Sequence, residues 1–467
     1  MRTKGRYARR GAIIGALASL VLLTSCIEGP IAGTPTLSIG IDPTLVGYEV
    51  SEVFLGQKAD AYTPNAPLTA DGEWDVSVDA ANSDVLFKTR LVVVRPKLAS
   101  AFNGTVIVEW LNVTGGADLP VEWLSAHREI VRSGAAWVGV SAQAVGVNQL
   151  KAAAPARYGS LNHPGDSYSY DIFTNAAQSI RVNPQATGGL KPKRIIGTGQ
   201  SQSAGRLVTY INAVQPIAKA FDGFLVHSRG AGGASLSQSP LTPVPAPNPL
   251  QIRGDQTTPV VVVQAEDDVI RSNTLARQPD SSTYRLWELA GTAHLDTYTS
   301  RIGAGDYGNG PSRMLAEMRN PRPAPAGCAA SQNAGGLHWT LQAAFSKLDA
   351  WIRTGTPPAT GARLQTVSTS PTVLERDGVG NALGGVRSPQ VDAPVARIDG
   401  INSGTGFCGL FGSTAALTTA QLQARYASSA AFVAEWNASA DALVASGFLL
   451  PADAAELKAS VVGISLF

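Results

Sequence analysis

Residues 194–205 read RIIGTGQSQSAG, and this stretch decides the fold. The run 194–199 (RIIGTG) has the composition of a buried strand, and a helix reads from about Gln202 onward. Between them, Gly199-Gln200-Ser201-Gln202-Ser203 sets a serine between two small residues, each two positions away. A strand that turns sharply into a helix needs small residues there, because neighbouring backbone passes close. Such a turn exposes the serine Oγ and aims the helix N-terminus at negative charge developing beside it. Ser203 competes, since Ser201-Gln202-Ser203-Ala204-Gly205 fits the same loose pattern. Ser201 lies nearer the strand end and Ser203 inside the first helical turn, so Ser201 is the expected nucleophile.

Outward from this turn, strand and helix signals alternate. Upstream lie 105–110 (TVIVEW), a helix-like 124–133, 136–141 (AWVGVS) and a helix-like 169–183; downstream come 220–227 (AFDGFLVH), 259–264 (PVVVVQ) and 283–289. Near-continuous apolar strands separated by helices predict an α/β fold, with a mostly parallel central sheet and helices on both faces. Short β-type runs such as 87–96 (FKTRLVVVRP) add an N-terminal β segment. Leu337, Leu341, Ala344, Phe345, Leu348 and Ile352 share a face of an amphipathic helix, which Gly355, Pro357 and Pro358 stop. Segments 419–446 and 451–460 read as a C-terminal helical extension. The expected division is a core at 47–360 and an extension at 361–467 packed on it. Within the core, the Gly/Ala/Ser/Pro-rich stretch 228–258 is too long for an ordinary connection and reads as a cap, a substrate loop or a surface excursion.

A serine nucleophile needs a base and an orienting acid. After an elbow of this kind the acid and then the histidine follow in chain order. Of the five histidines, His127 and His163 precede the serine, His227 precedes any suitable acid, and His338 lies on or beside the amphipathic helix. His294, in the loop after 286–289, is the expected base. Glu266, Asp267 and Asp268 follow 259–264, at the strand end where ligands gather in open parallel sheets. Asp268 is the expected acid, with Glu266 as the alternative; in an extended chain Asp267 would point elsewhere.

The chain resembles the bacterial α/β-hydrolase-domain family whose members carry a GESQSG-type elbow. The resemblance rests on 103–116 (NGTVIVEWLNVTGG), 157–173 (RYGSLNHPGDSYSYDIF), 199–205, 286–294 and 376–389 (RDGVGNALGGVRSP), and runs from about residue 47 to the C-terminus. It implies an α/β-hydrolase core with Ser201 as nucleophile, an acid near Asp268 and His294 as base. The chain departs from the pattern at Gln200, where many relatives carry Glu. The implied reaction is ester hydrolysis through an acyl-enzyme, with the oxyanion held by the backbone N–H of Gln202 and a second donor near Leu111 and Asn112. Trp110, Trp123 and Tyr168 are candidates for an apolar acyl pocket. The substrate would be a small-molecule or lipid-like ester. Two alternatives stand beside this: a non-catalytic surface lipoprotein using the fold for binding, and a peptidase or amidase using the same machinery. No cofactor or metal is expected, because the few His and Cys residues lack ligand spacing and Asp166 and Asp171 read as structural.

The N-terminus reads as an address. Residues 1–10 are basic and 11–23 (GAIIGALASLVLL) form an unbroken run of 13 small or apolar residues, too short to span a membrane comfortably. The run ends in Leu23-Thr24-Ser25-Cys26, which is similar to a bacterial lipobox and implies cleavage before an acylated Cys26. Residues 1–25 are then a signal peptide and 26–46 a linker from a lipid anchor, placing the protein in the cell envelope. Arg9-Arg10 gives only a weak twin-arginine pattern. The remaining cysteines, Cys328 and Cys408, form an even pair in an oxidising compartment, and a disulfide is expected. Hydrophobic residues make up 44% and charged residues 15%, which excludes a disordered chain. Setting aside the five basic residues before Cys26 turns a net charge of +2 into −3, which argues against nucleic-acid binding. Oligomeric state is not legible.

Overall fold

The stretch Val260–Gln264 reads VVVVQ and is buried along its whole length. A strand of this kind needs apolar cover on both faces. Val260 and Val262 point into one apolar layer, and Val261 and Val263 into the other. The same alternation recurs at Thr105–Trp110, where Val106, Val108 and Trp110 share a layer and Ile107 faces the opposite one.

A computed structural model describes residues 26–271 and 273–467; the expected signal peptide lies outside the described residues. Nine strands form one sheet: β1 (Cys26–Glu28), β2 (Tyr48–Ala59), β3 (Val85–Pro96), β4 (Thr105–Trp110), β5 (Ala136–Val140), β6 (Arg194–Gln200), β7 (Gly223–His227), β8 (Val260–Gln264) and β9 (Tyr284–Glu288). They lie side by side as β1-β2-β3-β5-β4-β6-β7-β8-β9. The last six in this order are parallel, and the first three are joined antiparallel at one edge. The chain runs outward from β4 to β5 and then returns to β6. Direction across the sheet therefore reverses between β4 and β6, and the crevice beyond their C-terminal ends is where open α/β sheets hold ligands.

Helix α1 (Val121–Ser133) packs on one face together with the long amphipathic helix Leu337–Thr354. Helices α2 (Ser169–Val182) and α3 (Gln202–Thr209) cover the other. The chain beyond residue 360 shares this core. Phe432, Trp436 and Leu443, on the helix Ser429–Ser446, join the layer that holds Trp287 and Leu341, and the Trp287 and Phe448 rings meet at 4.8 Å. This region also carries two short two-stranded ribbons, Thr366–Thr369 with Thr372–Leu374 and Ala396–Asp399 with Ser413–Ala416, alongside its helices.

The segment 26–46 differs from the expected linker, and 228–258 shows which of its readings applies. Residues 26–46 are folded onto the body: β1 pairs with β2, and the Thr36 N–H donates to the Tyr158 hydroxyl at 2.9 Å. An open sheet edge favours such pairing. The stretch 228–258 wraps a buried Arg229 guanidinium, which donates to the carbonyls of Gly230 at 2.9 Å and Ala231 at 2.8 Å. It sits beside α2, whose Tyr170 hydroxyl donates to the Ser235 carbonyl at 2.6 Å, and contributes nothing to the cleft described below. The Cys328–Cys408 disulfide is formed, with the Cα atoms 5.3 Å apart. Among the described residues no helix is long and apolar enough to cross a membrane.

Candidate active site

Ser201 sits between β6 and α3 with φ 61° and ψ −118°. A positive φ in a non-glycine residue costs on the order of 1–3 kcal/mol and persists only where the surroundings enforce it. Here the Ser201 N–H donates to the His227 carbonyl at 3.0 Å and its carbonyl accepts from the Gly205 N–H at 3.1 Å. The need for small residues is explicit: a Cβ on Gly199 would lie 3.1 Å from the Cβ of Ser203. Ser203 is buried, and its hydroxyl donates to the Leu111 carbonyl at 3.3 Å instead of facing the cleft.

The Ser201 Oγ lies 2.6 Å from His294 Nε2, and His294 Nδ1 lies 2.6 Å from Asp268 Oδ1. The second Asp268 oxygen accepts from the Ala265 N–H at 2.8 Å, which fixes the carboxylate at the end of β8. The three acids after this strand lie on a short helix, α4 (Glu266–Arg271), not on extended chain. Helical rotation therefore sends their carboxylates in three directions. Asp267 accepts from the His294 N–H at 2.8 Å and so holds the loop that carries the imidazole. Burial and the neighbouring Asp268 charge push its carboxyl well above the usual range. Glu266 turns away, accepting from the Gly291 N–H at 2.7 Å and the Gly400 N–H at 3.2 Å and pairing with Arg376 at 2.9 Å. Burial pushes Glu266 up to about 7, against the pull of Arg376.

Gln200 joins the two sides of the crevice. Its Oε1 accepts from Asn112 Nδ2 at 3.3 Å, and its Nε2 donates to the His294 carbonyl at 3.2 Å. Gln202 opens α3, so its N–H belongs to the first turn, where helices leave amides unpaired. Asn112 is placed beside Ser201, but its amides are engaged: the backbone N–H donates to the Leu119 carbonyl at 3.1 Å and Nδ2 to the Gln200 carbonyl at 3.0 Å. The Leu111 N–H is likewise bound to the Val140 carbonyl, at 3.3 Å. Among the described residues, the unpartnered amides on this loop are those of Val113, Gly115, Ala117 and Asp118, and of these Gly115 lines the cavity beside Ser201.

The three aromatics expected in the pocket are core residues. Trp110 packs 4.9 Å from Phe173 and donates through Nε1 to Gln143 at 3.1 Å. Trp123 packs 5.5 Å from Trp137 and donates to the Ile39 carbonyl at 2.8 Å, and Tyr168 is buried in the layer under α2 and α3. The side chains of Trp110 and Trp123 leave β4 and α1 along the sheet faces, whereas the cleft opens at the strand ends. A cavity of about 140 Å³ beside Ser201 and His294 is lined instead by Leu119, Val121, Leu295, Phe407 and Leu410. Phe407 and Leu410 flank Cys408 in the C-terminal region, and no local sequence signal marks them as neighbours of Ser201. The donor atoms of Asp267, Asp268 and His294 fall within 4.8 Å of one another. The 2.6 Å between His294 Nδ1 and Asp268 Oδ1 is a hydrogen-bond separation, shorter than the roughly 3 Å spread of two ligands on one tetrahedral ion.

A parallel sheet with helices on both faces and a serine on a strained strand-to-helix turn defines the α/β-hydrolase class. The chain belongs to the family described as "Alpha/beta hydrolase domain", whose model matches residues 24–459. None of the curated proteins matches it. Among solved structures it is similar to the esterase Est22, with 12% identity over 41% of this chain and 48% of that chain and a TM-score of 0.25. It is also similar to a thermostable esterase from Pseudomonas putida (16% identity, 50% of this chain, 73% of that chain, TM-score 0.25). A dienelactone hydrolase from Anabaena variabilis gives 12% identity, 43% of this chain, 79% of that chain and a TM-score of 0.25. The chain thus spans about half the length of the first of these, and scores this low carry no argument about activity.

Proposed function

We propose that this protein is a serine hydrolase that cleaves carboxylic esters through an acyl-enzyme. The observation that carries the reading is the unbroken hydrogen-bonded chain Ser201–His294–Asp268 at the crevice between β4 and β6. His294 Nε2 takes the Ser201 proton as Oγ attacks the ester carbonyl, and returns it to the alkoxide as the carbon–oxygen bond breaks. Water then attacks the acyl carbon, gives its proton to His294, and leaves the acid product and a reprotonated Ser201. Asp268 holds the imidazole tautomer and stabilises the imidazolium. The Gln202 N–H and a second amide, that of Val113 or Gly115, are assigned to the oxyanion. A pre-steady-state burst of p-nitrophenol, stoichiometric with protein, tests the acyl-enzyme; a chain that turns over no ester would contradict it.

We also propose that the protein is exported and tethered by lipid at Cys26. Supporting this are the basic-then-apolar plan of residues 1–23 and the exposed, unpaired Cys26 thiol at the start of β1.

A further inference from the structure

We infer that the substrates are neutral esters with a short acyl chain, and that Phe407 and Leu119 set the chain-length limit. This rests on the ester-hydrolase reading above. The acyl group, unlike the alcohol, stays on Ser201 through both halves of the reaction, so the cavity beside Oγ is assigned to it. At about 140 Å³ that cavity has room for about four or five groups of methylene size. Its apolar walls are Leu119, Val121, Leu295, Phe407 and Leu410, and no side chain with a fixed charge lines it. A carboxylate or ammonium on the acyl chain would lose its hydration there with no counter-charge in return.

Val121 is buried and forms the deep end, whereas Leu119 is 42% exposed and Phe407 52% exposed, which marks these two as the rim. The rim is held from several directions. Cys408, next to Phe407, is bonded to Cys328. The Leu295 N–H donates to the Leu410 carbonyl at 3.0 Å, and the Asn333 N–H to the Phe411 carbonyl at 2.9 Å. The wall is therefore fastened both to the loop bearing His294 and to the disulfide. A longer chain has to displace it or remain in water.

The test is kcat/KM for p-nitrophenyl acetate, butyrate, octanoate and laurate with wild type, Phe407→Ala and Leu119→Ala. Both side chains are at the surface, so either variant probes the rim without emptying the core. The expected result is a wild-type optimum at acetate or butyrate and a drop of at least about tenfold at octanoate. Each variant should then raise the octanoate-to-acetate ratio by roughly tenfold. Wild-type turnover that is flat or highest with laurate overturns the inference while leaving the esterase reading intact. The same holds if the ratio is unmoved in both variants. No turnover of any ester overturns the esterase reading and the inference together.

Discussion

Glu266 and Asp268 stand two residues apart on one helical turn, yet Asp268 meets the His294 ring while Glu266 ties Arg376 and two backbone amides of other loops. Proximity to the strand end and side-chain length would favour Glu266. The turn of α4 favours Asp268 instead, because rotation about the helix axis decides which carboxylate faces the imidazole.

The two acids should consequently fail in different ways. Asp268→Asn is expected to lower kcat by about 10³–10⁴-fold with little change in thermal stability, since the imidazole loses its orienting charge. Glu266→Gln removes one of the two carboxylates on the Arg376 guanidinium, which keeps Asp399 at 3.0 Å, and should change Tm while leaving kcat close to wild type. Parallel kcat and melting measurements separate them. A larger kcat loss in Glu266→Gln than in Asp268→Asn would reverse the assignment.

Asp296 predicts a pH dependence of stability. Its carboxyl is buried; one oxygen accepts from the Thr299 N–H at 2.8 Å and the other has no partner among the described residues. Burial raises it from 3.8 to about 6, against the pull of the Thr299 hydrogen bonds and of His227. The native state therefore binds this proton more tightly than the unfolded chain, so the contribution declines as pH rises from about 4 to about 6 and stays lost above that. Asp296→Asn should match wild type at about pH 4 and exceed it at about pH 8, by up to about 3 kcal/mol. Denaturant melts at the two pH values check this, and a variant less stable than wild type at about pH 8 would contradict it.

The disulfide closes a loop with a sequence separation of 80. Replacing both Cys328 and Cys408 by Ser should cost roughly 4 kcal/mol on the chain-entropy account. It should also loosen the Phe407 rim, so that the octanoate-to-acetate ratio rises as Tm falls. Differential scanning calorimetry with the same ester series reads both effects. An unchanged Tm would contradict the first and an unchanged ratio the second.

Cys26→Ser tests the anchor. In a host that lipidates proteins, wild type should sediment with membranes and the variant should appear in the soluble fraction or remain unprocessed. Equal membrane partition of the two, with the variant cleaved at the same site as wild type, would contradict the lipid tether.

Much of this architecture is legible because its signals are local. The sheet announces itself in short apolar runs, and the elbow in the switch from strand to helix around Ser201. His294 stands out because chain order removes His127, His163 and His227, and His338 falls on or beside the amphipathic helix. The pocket was not legible in the same way. Trp110 has the same strand parity as Val106 and Val108, which directs it into the layer under α2, while the cleft opens past the strand ends. Phe407 and Leu410 reach the cleft from the far end of the chain through a disulfide and a hydrogen bond to Leu295, contacts that no periodicity reports. Asn112 falls beside Ser201, but only the pairing of its N–H with the Leu119 carbonyl reveals that this amide is spent.

Steady-state hydrolysis of p-nitrophenyl butyrate by Ser201→Ala, set beside Ser203→Ala, decides whether Ser201 is the nucleophile. Ser201→Ala should lose roughly 10⁴–10⁶-fold in kcat with the fold retained. Ser203→Ala should keep most of its activity, because that hydroxyl donates to the Leu111 carbonyl and points away from His294. Full turnover by Ser201→Ala, or a dead Ser203→Ala beside an active Ser201→Ala, would show that Ser201 is not the nucleophile.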